Sequence, residues 1–293
     1  MEWAQYSNTW PHSAASRFVR ARPHLWHVQE MGTGPVVLLL HGAGGAVHSW
    51  RNILPGLAQD FTVFAPDLPG HGFTKMGAMQ RSSLTYMAED IQTLLQSEGI
   101  VPDLIIGHSA GGAIALELAR ILAVPPKGIV GINAALDNFK GVAGWLFPMM
   151  AKMLALNPLT APTFAAMSSN RSVESLISGT GSHIDATGLG LYRAVIKEAS
   201  HVKGALSMMA QWSLDELHQA LSDMDIPTLL LTADNDKAVP PETAERVATK
   251  LPNAQVIHLR GLGHLAQEEN PELVLEHIAA FTQEIGLLPA QDT

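Results

Sequence analysis

The chain has 293 residues, of which 47% are hydrophobic and 15% charged, a composition with enough apolar material for a full core and too little charge for a disordered polymer. Its net charge of −9 leaves no basic excess to neutralise phosphates, which argues against nucleic acid as a partner. The absence of cysteine excludes disulfides, thiolate nucleophiles and Cys-ligated zinc or iron–sulfur centres. The opening residues Met1-Glu2-Trp3-Ala4-Gln5 lack the basic and then apolar pattern of a secretory leader, and no apolar run reaches the ~18–20 residues of a membrane span. The expectation is a cytoplasmic protein without a transmembrane segment, at most peripheral to a membrane.

Residues 16–31 alternate enough to predict an antiparallel strand pair. Pro35 to Leu40 is a continuous apolar run, the pattern of a strand buried on both faces, and it ends in the turn His41-Gly42-Ala43-Gly44-Gly45. A helix is expected through Trp50 to Leu57, then a strand over 61–65 that ends in Pro66-Asp67-Leu68-Pro69-Gly70-His71-Gly72. Met87, Ile91, Leu94 and Leu95 fall at helical spacing within 84–97. A strand over 103–107, a helix to Leu122 and a strand over 128–132 follow; two more strands lie at 228–232 and 256–259, each with a helical pattern after it. Short buried strands alternating with helices predict an α/β fold with a mostly parallel central sheet flanked by helices.

The stretch between the strands at 128–132 and 228–232 differs in composition. It carries Trp145, Phe147, Tyr192, Trp212 and six methionines (Met149, Met150, Met153, Met167, Met208 and Met209), and its segments look helical. A helical cap over 138–222, inserted into a core made of 1–137 and 223–293, is therefore expected. Methionine makes adaptable apolar walls, so Trp145, Met149, Met150, Met153, Met208 and Trp212 are candidate contacts for a bulky apolar substrate. The competing reading is a cap core packed only against itself.

Gly107-His108-Ser109-Ala110-Gly111 is the one G-x-S-x-G of the sequence and lies between a predicted strand and a predicted helix. That context reads as a nucleophile elbow, a bend that lifts a serine hydroxyl above the end of a sheet. The hydroxyl needs a base, and the base needs an orienting acid, in the chain order Ser, acid, His. His264 follows the last strand; Asp236, Asp234 and Asp137 compete as the acid, and Asp236 is favoured. The backbone N–H groups of Ala110 and Ala43 are placed to form an oxyanion hole, with His41 and His108 as braces for the loops. There is no P-loop and no H-E-x-x-H, and Gly261-x-Gly263-x-x-Ala266 has too little chain after it for a dinucleotide site, so no metal and no cofactor are expected.

His41-Gly42, Asp67-x-x-Gly70-x-Gly72, Gly107-x-Ser109-x-Gly111, Asp236-x-x-Val239-Pro240 and Gly263-His264 occur in the order in which they occur in α/β-hydrolase fold proteins, which the chain resembles over almost its whole length. Ala233 departs from the pattern, standing where related sequences often have glycine. Leu25-Trp26-His27-Val28-Gln29, His48-Ser49-Trp50-Arg51 and the 65–74 segment resemble more narrowly the magnesium-chelatase accessory hydrolases of bacteriochlorophyll synthesis. That resemblance implies a tetrapyrrole pathway, a porphyrin facing the cap and an association with magnesium chelatase. Two functions stand at this point: a serine hydrolase acting on an ester or related acyl bond, and a non-catalytic porphyrin-binding accessory or carrier protein for magnesium insertion.

Overall fold

The structure is a computed structural model that describes residues 1–78, 80–137 and 157–289. Eight strands form one sheet: β1 (Ser16–Ala21), β2 (His24–Met31), β3 (Val36–Leu40), β4 (Thr62–Pro66), β5 (Leu104–His108), β6 (Gly128–Ile132), β7 (Thr228–Ala233) and β8 (Ala254–Leu259). Their spatial order is β1-β2-β4-β3-β5-β6-β7-β8. β1 and β2 pair antiparallel, as does β2 with β4, and every pairing from β4 to β8 is parallel.

The apolar runs are continuous because both sheet faces are covered. Along β3, Leu38 and Leu40 join a cluster with α3 (Leu84–Glu98) and α4 (Ala110–Ile121), while Val37 and Leu39 join the opposite cluster with Val274, Ile278 and Phe281 of a C-terminal helix. Successive side chains of a strand point to opposite faces. Each such buried aliphatic side chain contributes about 1.5–3 kcal/mol. α3 is capped at both ends: the Ser83 hydroxyl accepts from the Tyr86 amide, and Gly99 closes the C-terminus at φ 66°.

The helix expected through Trp50 to Leu57 is interrupted. Residues Val47–Trp50 form a 3₁₀ turn, and a separate short helix, α2, covers Leu54–Leu57. Pro55 lacks the N–H that would bond back across the gap, and it fits only the first turn of a new helix. A short α1 (Trp3–Tyr6) precedes β1. Between β6 and β7 the described residues hold α5 (Thr160–Met167), α6 (Asn170–Gly179), α7 (Ala186–Ile196), α8 (Ala199–Gln211) and α9 (Asp215–Ala220), and no strand. The chain then continues through α10 (Glu242–Ala248), α11 (Ala266–Glu269) and α12 (Pro271–Glu284). Among the described residues no helix is long and apolar enough to cross a membrane.

Candidate active site

The sheet brings its chemistry to the carboxyl ends of β3, β5, β6 and β7. Ser109 stands between β5 and α4 with φ 53° and ψ −120°, a backbone conformation that L side chains rarely adopt. The bend is possible because Gly107 and Gly111, two residues to either side, have no side chains. A Cβ on Gly111 would lie 2.0 Å from the Leu40 carbonyl oxygen, and one on Gly107 would lie 2.2 Å from that of Gly111. The Ser109 amide donates to Ile132 of β6 (3.0 Å), while its carbonyl accepts from Gly112 (3.0 Å) and Ala135 (2.9 Å), which locks the bend in place.

Three side chains separated by 155 and 28 residues meet in one line. The Ser109 hydroxyl donates to His264 Nε2 (3.0 Å), and His264 Nδ1–H donates to Asp236 Oδ2 (2.8 Å). A carboxylate only accepts, so this bond assigns the proton of the neutral ring to Nδ1 and leaves Nε2 free to receive one. Asp236 is buried and saturated: Asn133 Nδ2 donates to Oδ2 (2.7 Å), and the amides of Ala238 (2.7 Å) and Val239 (2.8 Å) donate to Oδ1. Burial pushes the Asp236 carboxyl up, but the bond and charge of His264, the Val239 amide and Asn133 outweigh it and hold the pKa below the usual carboxylate range.

The competing acids are engaged elsewhere. Asp137 pairs with Arg246 (2.7 Å), and Asp234 with His258 (3.2 Å). Ala233, in place of the more frequent glycine, is fully buried and its carbonyl accepts the Asp236 amide (3.1 Å), so the turn after β7 closes with a methyl group present.

The turn after β3 lies against the serine: a Cβ on Gly42 would be 2.9 Å from Ser109 Cβ. The turn is closed by the Gly45 amide on the Gly42 carbonyl (3.1 Å), and Ala43 is exposed at its tip. Ala110 is the first residue of α4, where helical amides have no intrahelical acceptor. His108 Nε2–H donates to the His264 carbonyl (2.8 Å) and braces the loop that carries His264. Burial, followed by the nearby His264, pushes its pKa down to about 3, so it stays neutral. His41 Nδ1–H donates to the Gly42 carbonyl (2.8 Å) while Nε2 accepts the Leu68 amide (2.9 Å).

Of the candidate substrate contacts, Met208 is buried in the cluster that includes Ala110, Ala134 and Leu136, and Trp212 packs half-buried against the same cluster. Trp145, Met149, Met150 and Met153 lie outside the described residues. Asn133, which follows β6 at φ 46°, escaped the sequence reading; a lone Asn after a strand carries no motif, and only the sheet places it beside Asp236.

A second Ser–His–Asp chain occurs away from this site. Ser16 Oγ–H donates to His27 Nε2 (3.0 Å), and His27 Nδ1–H donates to Asp67 (2.7 Å), whose carboxylate also accepts the amides of Val47 (2.7 Å) and Phe73 (2.9 Å). Ser16 has ordinary extended backbone (φ −81°, ψ 134°), and its oxygen accepts from Gln29 (3.1 Å). This chain ties β1, β2 and the 67–73 loop together.

The fold defines the class: the chain belongs to the α/β hydrolase fold family, whose model matches residues 35–271. Over 88% of its length it is 46% identical to the "Magnesium-chelatase 30 kDa subunit" of Rhodobacter capsulatus, covering 91% of that protein. A pyrrolizixenacetamide deacetylase of Xenorhabdus hominickii is 27% identical over 85% of the chain and 91% of its own length. Among solved structures, a thermophilic esterase of Thermogutta terrifontis superposes with a TM-score of 0.74 at 22% identity, covering 92% of this chain and 98% of that one. The epoxide hydrolase CorEH superposes with a TM-score of 0.77 at 20% identity, covering 92% and 99%. These structural likenesses define the fold.

Proposed function

We propose that the protein is a serine hydrolase that cleaves an ester or related acyl bond of a bulky apolar small molecule. The observation that carries this reading is that Ser109, the serine held in a bend at φ 53°, heads an unbroken hydrogen-bonded line through His264 to Asp236. Ser109 Oγ attacks the carbonyl carbon as His264 Nε2 takes its proton, and His264 then returns that proton to the leaving group. Water repeats the sequence on the acyl-enzyme and frees Ser109. Asp236 remains an anion throughout, holding His264 in the required tautomer and stabilising the imidazolium. The Ala43 and Ala110 amides receive the oxyanion, each worth roughly 3–4 kcal/mol of barrier. The strained backbone at Ser109 supports the same reading, since strain of this kind is retained where it presents a reacting group.

The substrate class rests on the Met- and Trp-rich segment between β6 and β7 and on the similarity to the Rhodobacter capsulatus chelatase subunit; we assign a tetrapyrrole of bacteriochlorophyll synthesis as substrate and magnesium chelatase as associate. The name of that relative also favours a second reading, a porphyrin-binding accessory that does not turn over. A fluorophosphonate probe separates the two. Labelling that is lost in Ser109→Ala and kept in Ser16→Ala supports the hydrolase. An unlabelled wild type that binds porphyrin tightly supports the accessory protein.

A further inference from the structure

The Gly42–Gly45 turn is fastened at both ends by a neutral imidazole, and the two fastenings have the same form. On one side His41, at the end of β3, accepts the Leu68 amide at one ring nitrogen and donates from the other to the Gly42 carbonyl. On the other side His201, from α8, accepts the Gly72 amide at Nδ1 (3.0 Å) and donates from Nε2 to the Gly44 carbonyl (3.0 Å). A backbone N–H can only donate, so the Gly72 bond places the His201 proton on Nε2 and leaves no choice of tautomer. His201 is 2% exposed, and burial, opposed by the Gly44 bond, pushes its pKa down to about 4, so the ring keeps this form at neutral pH.

The helix that carries His201 is seated on the same loop at backbone distance. One turn further along α8, a Cβ on Gly204 would lie 2.2 Å from the Gly70 carbonyl oxygen. This contact admits no side chain, so it sets the height of α8 above the 67–72 loop and with it the reach of His201. Gly44 itself sits at φ 74° with nothing within 4 Å of where a Cβ would be. The Gly44 carbonyl is held by a residue outside the sheet.

We propose that His201 is a positioning residue that completes the oxyanion hole from the cap: its bond to Gly44, together with that of His41 to Gly42, fixes the turn so that the Ala43 amide points at the reacting carbonyl. Seating of α8 and competence of the oxyanion hole are then one event. The proposal rests on the serine-hydrolase reading for its catalytic consequence, while the fixing of the turn can be measured without turnover.

The test compares the wild type, His201→Phe and His201→Gln in turnover of a p-nitrophenyl ester and in hydrogen–deuterium exchange over residues 42–46. A glutamine amide carries one acceptor and one donor and can serve both partners, whereas phenylalanine keeps the bulk and serves neither. Losing one oxyanion donor outright costs about 10²–10³ in kcat, so loosening one should lower kcat by about tenfold or more in His201→Phe with little change in KM. His201→Gln should stay within about threefold of wild type, a bound set well inside that loss. Exchange at 42–46 should be faster in the Phe variant alone. Should that variant melt far below wild type, His201→Asn, whose shorter amide reaches one partner, replaces it in the comparison. Wild-type kcat and exchange in the Phe variant, or a Gln variant as impaired as the Phe variant, overturns the proposal. An inactive wild type sinks the hydrolase reading, and the exchange comparison then decides the positioning claim by itself.

Discussion

Ser109 holds a conformation that stability alone would not choose. Its φ of 53° and ψ of −120° suit glycine, and its side chain makes no helix-capping bond that would compensate. Ser109→Gly should therefore raise unfolding free energy by about 1 kcal/mol in chemical denaturation while abolishing ester turnover. The contrast with Ser16 shows why the triad bonds by themselves do not identify a nucleophile: both serines donate to a His–Asp pair, yet Ser16 lies in extended backbone within a strand. The acid assignment is equally local. Asp236→Asn replaces an acceptor of the His264 proton with a group that can present a donor, and should lower kcat by about 10⁴-fold. Asp137→Asn and Asp234→Asn disturb only partly exposed pairs with Arg246 and His258, and kcat should stay within a factor of about three. From the sequence, three acids were open after two strands; the choice became physical only when the sheet brought Asp236 Oδ2 to His264 Nδ1.

At the scale of elements, the β5–Ser109–α4 unit was readable because the glycines around the serine are required by distances inside that unit and its immediate neighbour. A Cβ on Gly111 would meet the Leu40 carbonyl oxygen at 2.0 Å and the His41 carbonyl oxygen at 2.8 Å, both backbone atoms with no rotamer to yield. Gly111→Ala should accordingly cost about 3 kcal/mol of stability in urea denaturation, and any folded fraction should have lost turnover with it. The helix expected from Trp50 to Leu57 failed for an equally local reason: apolar spacing there is helical, but Pro55 interrupts the ladder and its presence outranks the pattern. The strands of the parallel sheet were legible as apolar runs, because burial on both faces removes the polar alternation that would otherwise mark a surface.

Across the whole molecule, a polar cluster buried at Arg51, Tyr192 and Glu268 joins parts that are far apart in the chain. Arg51, after the 3₁₀ turn, pairs with Glu268 of α11 and with Asp185 at the start of α7 (3.1 Å), and the Tyr192 hydroxyl of α7 donates to Glu268 (2.8 Å). Burial pushes the Glu268 carboxyl up to about 7, against the opposing charge and bond of Arg51 and the Tyr192 bond. Between the ordinary value of 4.5 and about 7 the folded state thus binds more protons at Glu268 than the unfolded state, so this group's contribution falls as pH rises through that window and is level above it. Thermal melts at pH 5 and pH 8 check this: wild type should lose stability relative to Glu268→Gln on going to the higher pH, on the order of 3 kcal/mol. An equal wild-type-to-variant difference at both pH values refutes it.

The sequence by itself determined the α/β class, the strand runs, the elbow and the order of serine, acid and histidine, because each is a matter of local spacing, of residue type at a turn, or of apolar runs a few residues long. Only the tertiary structure decided which aspartate meets His264, that His264, the Val239 amide and Asn133 hold that carboxyl below its usual range, and that a histidine from α8 reaches the Gly44 carbonyl 157 residues away. Those contacts join strand ends and loops across the sheet. No period or motif in a linear chain records which residues will become neighbours there.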